Sequence, residues 1–184
     1  MIDKQEVPTR YPEDRSLDED LGLWWVLHIK PNCEKKVASY LFKRHISYYL
    51  PLFPQKSRVG HFKRFKTTEV PLFRGYLCFA LPKKDHNLLY GSKKLVRVIE
   101  VGDQERFVRE LQAVAKAVKT GDDLTLKPGL VAGQKVLILS GPLEGTEGTV
   151  VKRRDGRRLA LSVQMFNQTV LVKLDPFTEL EVVM

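Results

Sequence analysis

The stretch LSGPLEGTEGTVVKRRDGRRL, residues 139–159, decides how the C-terminal third of the chain folds. Its glycines suggest a phosphate-binding loop, but such a loop needs a lysine and a hydroxyl residue directly after the last glycine, followed by a helix. Gly148 is followed instead by the β-branched run 149–151, which is typical of a strand. The Asp-Gly pair at 155–156 favours a tight turn between two strands. The stretch therefore predicts strands joined by glycine-bearing turns and excludes a phosphate loop.

The sequence around this stretch predicts an all-β domain, because short apolar runs alternate with turn residues and no helical period appears. Five strands in so short a segment fit a small closed barrel, which leaves no exposed sheet edge. The Gly-Pro pair at 141–142 and the glycines would interrupt a helix, so we expect a barrel both in the full-length chain and in residues 129–184 alone. The predicted strands are 134–139, 148–152, 158–163, 168–173 and 180–182.

Strands and helices alternate in the part of the chain that precedes the barrel. Asp103 is a typical N-cap for a helix whose apolar residues recur at helical spacing as far as Val118. A basic hairpin is predicted with its tip at 59–61. The sequence therefore predicts an α+β domain followed by an all-β barrel. The other predicted elements are strand 23–29, helix 33–44, the apolar run 46–53, and strands 75–81 and 95–101.

Changes in composition predict the domain boundaries. The first twenty residues carry seven acidic and three basic residues and few aliphatic ones, so residues 1–20 are predicted to be a flexible acidic tail. A polar break interrupts the pattern at residues 119–128, which are interpreted as a linker. The predicted domains are therefore residues 21–118 and residues 129–184.

The positive charge of the chain is concentrated in one segment. The protein has 184 residues and a net charge of +9. Thirteen lysines and arginines lie between Lys43 and Arg97, against Glu69 and Asp85 alone. This density favours nucleic-acid phosphates, because each contact releases counterions; the alternative is a solvated face that keeps a small domain soluble. The candidate nucleic-acid-binding residues are Lys56, Arg58, Lys63, Arg64, Lys66, Lys93 and Lys94.

Several protein classes are excluded by sequence patterns that the chain lacks. No apolar run approaches the roughly 20 residues of a membrane span, and the N-terminus has no signal-peptide pattern. Cys33 and Cys78 imply no disulfide framework, so a cytoplasmic location is expected. The histidines are scattered, and no nucleophile motif, carboxylate pair or zinc-ligand spacing is present. We therefore expect a binding protein without enzymatic activity, metal or cofactor.

Three segments carry a resemblance to a known family. GQKVLILSGPLEGTEGTVV, residues 133–151, resembles the KOW motif, while LWWVLHIKPNCEKKVASYL (23–41) and VPLFRGYLCFAL (70–81) resemble the first strand and helix and the central strand of the NGN domain. From about Leu21 onwards the chain is identified as a member of the NusG family of transcription elongation factors. Arg74 stands before Gly75, where bacterial NusG commonly has proline, and the form WWVLHIKPNCEKKVASYL, residues 24–41, resembles the specialised paralogs of the RfaH, LoaP and UpxY type more than housekeeping NusG.

The resemblance implies the fold and three contact sites. An NGN domain is an antiparallel sheet flanked by helices, and the KOW domain is a small SH3-like barrel. An apolar patch of the NGN sheet binds the clamp helices of the RNA polymerase β′ subunit, and in RfaH-type proteins a short helix after it touches the β-subunit gate loop. The KOW barrel offers an aromatic residue to partners such as Rho or a ribosomal small-subunit protein. The matching polymerase-binding residues are Trp25, Phe73, Tyr76, Cys78, His86 and Asn87, and the matching KOW residues are Met165, Phe166, Asn167 and Gln168. The alternative for the aromatic residues is ordinary core packing.

The function implied by the resemblance is elongation or antitermination of transcription. A monomer that spans the polymerase cleft binds the closed clamp better than the open one, and so shifts the population towards the processive state. The basic segment would then face upstream or non-template DNA or nascent RNA. The alternative function is a ribosome-associated RNA-binding KOW protein, which a pull-down of ribosomal subunits rather than polymerase would identify.

Overall fold

The computed structural model describes residues 7–59, 64–89, 91–121, 124–129, 133–153 and 156–183. The chain forms two compact units, Met1–Gly102 and Asp103–Met184. The first contains a mixed arrangement of strands and helices, and the second contains one long helix and a β-sheet. The predicted α+β class with a β-rich C-terminal part is confirmed.

The first unit is built on a five-stranded antiparallel sheet with the strand order β1-β3-β6-β2-β7. Strands β4 and β5 pair only with each other among the described residues and form a separate two-stranded ribbon. The elements are β1 Arg10–Tyr11, β2 Leu23–Ile29, helix α1 Glu34–Phe42, β3 Ser47–Tyr49, β4 Leu52–Val59, β5 Arg64–Pro71, β6 Tyr76–Leu81 and β7 Leu95–Glu100, with short 3-10 helices at Leu17–Glu19 and Lys83–Leu89.

One face of this sheet forms the core of the first unit. Trp25 lies opposite Phe79 in the register of β2 and β6, and Leu27 lies opposite Leu77. Because directly opposed residues of an antiparallel pair share a face, these side chains pack together, and all are buried in one cluster with Leu41 of α1. Helix α1 therefore covers this face, as the helical spacing of its apolar residues predicts.

The N-terminal segment differs from the flexible tail predicted for residues 1–20. Strand β1 pairs with β3, and Leu17 is buried. The indole N–H of Trp24 donates a hydrogen bond to the Leu17 carbonyl at 2.9 Å. Arg10 forms an ion pair with Asp20, whose side chain is fully buried, and its guanidinium lies 5.7 Å from the centre of the Trp24 ring. Residues 7–20 are thus docked through a few strong contacts that average composition does not reveal.

The second unit begins with helix α2, Gln104–Thr120. Its predicted cap is confirmed, since the Asp103 carboxylate accepts a hydrogen bond from the Arg106 N–H at 3.0 Å. Gly121 ends the helix in the left-handed region at φ 68°. The helix lies in the same compact unit as the sheet that follows it, whereas the sequence analysis assigns it to the first domain; the predicted boundaries at 118 and 129 remain a proposal.

Six antiparallel strands follow α2, with β13 and β8 at the edges of the sheet. All five predicted strands are present. The additional strand, β8, falls in the segment interpreted as a linker, because its few residues are too short for an apolar period but pair with β12. The elements are β8 Thr125–Pro128, β9 Gln134–Ile138, β10 Glu147–Arg153, β11 Gly156–Val163, β12 Gln168–Lys173 and β13 Leu180–Val182, with a 3-10 helix at Gln164–Phe166.

The glycines of residues 139–159 act on the backbone, as expected. Gly145 has a φ of 73°, in the left-handed region that side chains disfavour. A Cβ on Gly148 would lie 2.7 Å from Cδ1 of Leu159 on the neighbouring strand. The first glycine allows the turn between β9 and β10, and the second allows two strands to approach closely.

Candidate functional site

The residues predicted to form one polymerase-binding patch lie on two different faces of the sheet. Trp25 is opposite Phe79 on the core face, whereas Tyr76 is opposite His28 and Cys78 is opposite Val26 on the other face. Trp25 is only 4% exposed, and its indole N–H donates to the Leu81 carbonyl at 3.2 Å. Trp25 is therefore a core residue in this structure, as the alternative of core packing predicts, and its contact with the polymerase stays a prediction.

Burial divides the remaining members of the predicted patch. Phe73 and Cys78 are buried, and burial raises the pKa of the Cys78 thiol well above its usual range. Tyr76 is half-buried. The structure therefore leaves Tyr76 as the accessible member of the patch on β2 and β6.

Tyr76 shares its end of the sheet with two residues that the sequence analysis did not select. Its ring stacks on the ring of His28, with centroids 5.3 Å apart and planes at 23°. Arg97 of β7 is opposite His28 and is exposed. An aromatic pair beside an arginine is a common composition for the centre of a protein interface. We call Tyr76, His28 and Arg97 the rim cluster.

His86 and Asn87, predicted to contact the gate loop, lie on the 3-10 helix Lys83–Leu89. The His86 ring is 4.1 Å from the Trp25 ring, at 78°. Burial lowers the pKa of His86, and the neighbouring Lys83 lowers it further. Its Nε2 atom is buried and has no hydrogen-bond partner within the described part of the chain. Asn87, in contrast, is exposed. His86 is thus partly a packing residue, whereas Asn87 is available to a partner.

The predicted nucleic-acid-binding residues fall into two groups. Lys56, Arg58, Arg64 and Lys66 lie on the β4–β5 ribbon, while Lys93 and Lys94 are exposed residues just before β7. The side chains of Lys56 and Lys66 are exposed. Lys63, together with residues 60–61 of the predicted hairpin tip, lies outside the described residues. The antiparallel pairing on both sides of it supports the predicted hairpin.

Phe166, predicted to be an exposed contact for a partner, is packed against helix α2. It is 6% exposed, and its ring lies 6.2 Å from the ring of Phe107 in an edge-to-face arrangement. The Glu110 carboxylate accepts a hydrogen bond from the Gln164 N–H at 3.1 Å, and burial raises the pKa of Glu110. Phe166 is therefore a packing residue in this structure, and its contact with a partner stays a prediction.

The residues around Phe166 remain partly accessible. Asn167 is exposed and takes a left-handed conformation at φ 48°. Met165 and Gln168 are half-buried, and the side-chain oxygen of Gln168 is buried without a hydrogen-bond partner in the described structure. Asn167 is the member of this predicted site that a partner reaches without moving α2.

Two exposed aromatic residues were missed by the sequence analysis. Phe65 on β5 is 64% exposed, and Phe177, in the turn before β13, is 90% exposed. A phenylalanine between charged and polar neighbours, as in the sequence RFK at 64–66, was a signal that could have identified Phe65.

Metal ligation and membrane insertion each require a recognisable arrangement of residues. The described residues contain no group of three or more His, Cys, Asp or Glu side chains arranged to hold a metal ion. None of the helices formed by them has the length and apolar character required to cross a membrane.

Comparison with known proteins gives one family match. The family model described as "NusG: Transcription termination factor nusG" matches residues 22–139, which is more than half of the chain. A solved structure described as "Domain interaction in Thermotoga maritima NusG" is 17% identical, with a TM-score of 0.46, over 82% of this chain and 92% of that chain. No curated protein matches the chain.

Proposed function

This chain belongs to the NusG family of transcription factors, and from that premise we propose that it binds RNA polymerase through its first unit and acts on elongation. The description of the family model names termination, whereas the resemblance to specialised paralogs favours antitermination. Both are effects on a paused polymerase, but termination ends transcription whereas antitermination allows it to continue. We propose suppression of pausing, which transcription in vitro on a template with a defined pause site measures directly.

The observation that carries the proposal is the rim cluster. Tyr76 is half-buried and stacked on His28, and the exposed Arg97 lies opposite His28 on the strand at its other side. Because the two rings are already stacked, each loses less rotamer freedom when a partner binds, and this favours their use in an interface. Asn87 is a second exposed position suited to a contact with the β-subunit gate loop, and the clamp helices of β′ are the proposed partner of Tyr76.

The second unit is proposed to recruit a further partner such as Rho or a ribosomal small-subunit protein. The six-stranded sheet supports a KOW assignment, and Asn167 is the exposed candidate at the predicted site. Because Phe166 is packed on Phe107, a partner that uses Phe166 must compete with helix α2. The apparent affinity is then reduced by the fraction of molecules in which the helix has moved.

Polymerase binding tests the rim cluster. The double variant Tyr76→Ala/His28→Ala should bind core RNA polymerase about 30-fold more weakly, because an aromatic anchor at an interface typically contributes about 2 kcal/mol or more. Its melting temperature should change little, since both residues are partly exposed. Phe177→Ala, which removes an exposed ring from the second unit, is the matched control. Unchanged polymerase affinity in the double variant would rule out the rim cluster, and recovery of ribosomal subunits instead of polymerase would favour the alternative function.

Salt dependence tests nucleic-acid binding by the basic segment. Replacing Lys63, Arg64 and Lys66 with glutamine should reduce the slope of log K against log salt by about 0.7–0.9 for each phosphate that the variant no longer binds. The control replaces three exposed lysines of the second unit, Lys119, Lys135 and Lys173. Equal reductions in both variants would mean that binding is spread over the whole surface rather than located in the β4–β5 ribbon.

A further inference from the structure

The β4–β5 ribbon has almost no role in the core of the first unit. Its two strands pair along their whole length, from Leu52 opposite Pro71 to Val59 opposite Arg64. Residues 55–56 on one strand and 65–69 on the other are all exposed. Since successive residues of a strand alternate between faces, neither face of this part of the ribbon is buried. A ribbon of this kind adds little to stability by itself, so its sequence is free to serve binding.

Phe65 is the one large apolar side chain in that exposed part, and its position is defined by the register. It lies opposite Arg58, and Lys56, two residues before Arg58 in β4, occupies a position on the same face. Phe65, which is 64% exposed, therefore shares its face of the ribbon with the positions of Arg58 and Lys56. Lys66 is also exposed, but it follows Phe65 directly and therefore lies on the opposite face of the ribbon. Glu69 is the acidic residue of the described part of the ribbon. It follows Thr67 by two residues in β5 and is therefore on the same face, nearer to the C-terminal end of the strand.

An exposed ring between cations fits an unpaired nucleic-acid strand. The face of an unpaired base stacks on an aromatic side chain, and lysines or arginines on either side bind the phosphates that flank the base. In a duplex the bases are already stacked on one another, so a phenylalanine finds no free base face there unless the duplex is opened. Charge alone suits both kinds of nucleic acid, and the phenylalanine is what distinguishes them.

We propose that Phe65 is a stacking residue and that the β4–β5 ribbon binds single-stranded nucleic acid through Phe65 and Lys56 on one face, while Lys66 on the opposite face adds attraction for the phosphates. This inference rests on the proposed nucleic-acid contact of the basic segment and adds to it the class of strand and the residue that selects it. The lysines supply attraction that depends on salt, and the phenylalanine supplies stacking that does not.

Binding of the full-length chain to labelled oligonucleotides separates these two contributions. The probes are oligo(dT) and oligo(U) of about twelve nucleotides, within the usual site size of such proteins, and a DNA duplex of the same length. Phe65→Ala should weaken binding to the single strands about tenfold at every salt concentration without changing the salt slope. Lys56→Gln and Lys66→Gln should each lower the slope by about 0.7. If Phe65→Ala weakens binding to only one of oligo(dT) and oligo(U), the result supports the proposal and shows whether the ribbon binds DNA or RNA.

Matched variants make the result decisive. Phe65→Tyr keeps an aromatic face and should bind within about twofold of wild type, since stacking tolerates a hydroxyl group. Phe177→Ala, which removes an exposed ring elsewhere, should have no effect. The proposal is overturned if Phe65→Ala leaves single-strand binding unchanged, if it weakens duplex binding equally, or if it weakens binding to polymerase instead. If Phe65→Ala leaves single-strand binding unchanged but binding still depends on salt, the basic segment remains a nucleic-acid site without a stacking residue. If binding by the wild type does not depend on salt at all, both the stacking proposal and the proposed nucleic-acid contact of the basic segment are contradicted.

Discussion

Replacing Trp25 with alanine should lower the free energy of unfolding of the first unit by about 3–5 kcal/mol, the range found for buried large aromatic residues. The side chain is 4% exposed and lies between Phe79 across the strand pair and His86 on the following 3-10 helix. Its removal leaves a cavity and takes away the indole hydrogen bond to the Leu81 carbonyl. Since whole domains are stable by about 5–15 kcal/mol, denaturant unfolding should show a large shift of the midpoint.

Tyr76→Ala is the control for this experiment, because the two residues were predicted to act together. A half-buried tyrosine at the end of a strand should cost much less stability than Trp25. If Trp25→Ala unfolds like wild type and loses polymerase binding alone, the core assignment is wrong and the surface assignment is correct. If instead Trp25→Ala is destabilised while Tyr76→Ala keeps its stability, the division of the two residues between faces is confirmed.

Replacing Arg10 with alanine should cost about 3 kcal/mol, because the buried carboxylate of Asp20 loses its ion-pair partner and keeps only the hydrogen bond with Ser47 and the more distant Arg15. Burial raises the pKa of Asp20, and Arg10 acts against this by favouring the charged form. In the variant that opposing influence is lost, so the pKa of Asp20 should rise further. Arg15, which is 3.8 Å from the same carboxylate, compensates only in part.

The pH dependence of the Arg10 variant follows from this shift. A carboxyl group whose pKa is raised in the folded state stabilises the protein below its unfolded pKa, here near 3.8, and loses that contribution as the pH rises through the folded value. The stability difference between wild type and Arg10→Ala should therefore shrink as the pH is lowered from 7 towards 4. In Arg10→Ala/Asp20→Asn the difference should be smaller and independent of pH. A constant difference for Arg10→Ala across this range would show that Asp20 is not the group left unpaired.

The sequence was sufficient to predict most secondary structure and insufficient to predict which faces are covered. The strands of the second unit follow from β-branched runs between glycines, and helix α2 follows from one apolar stripe and its Asp103 cap. In β2, however, apolar residues occupy nearly every position, so alternation does not indicate which face is the core. The face that α1 covers is identified by the packing of Trp25 and Phe79 with Leu41, and Trp24 and Val26 on the other face are buried as well.

The candidate sites show the same limitation. Phe166 stands beside polar residues in the sequence and so resembles a binding residue, but its neighbour in space is Phe107, 59 positions earlier in the chain. The docking of residues 7–20 depends on a two-residue strand and one ion pair, which no composition average reports. Long-range packing of single side chains decided each of these cases.

The edges of the sheets have a consequence for self-association. Open edge strands invite pairing with another chain, which leads to aggregation. Among the edge strands, β1 has only two residues, β8 ends in Pro128, and β13 has three residues with Glu181 at its centre, whereas β7 is six residues long and carries the exposed Arg97. The ribbon carries Pro54 and lysines on its own edges. These features discourage edge-to-edge pairing, so the chain can expose a long basic ribbon to a nucleic acid without offering the same ribbon to its own copies.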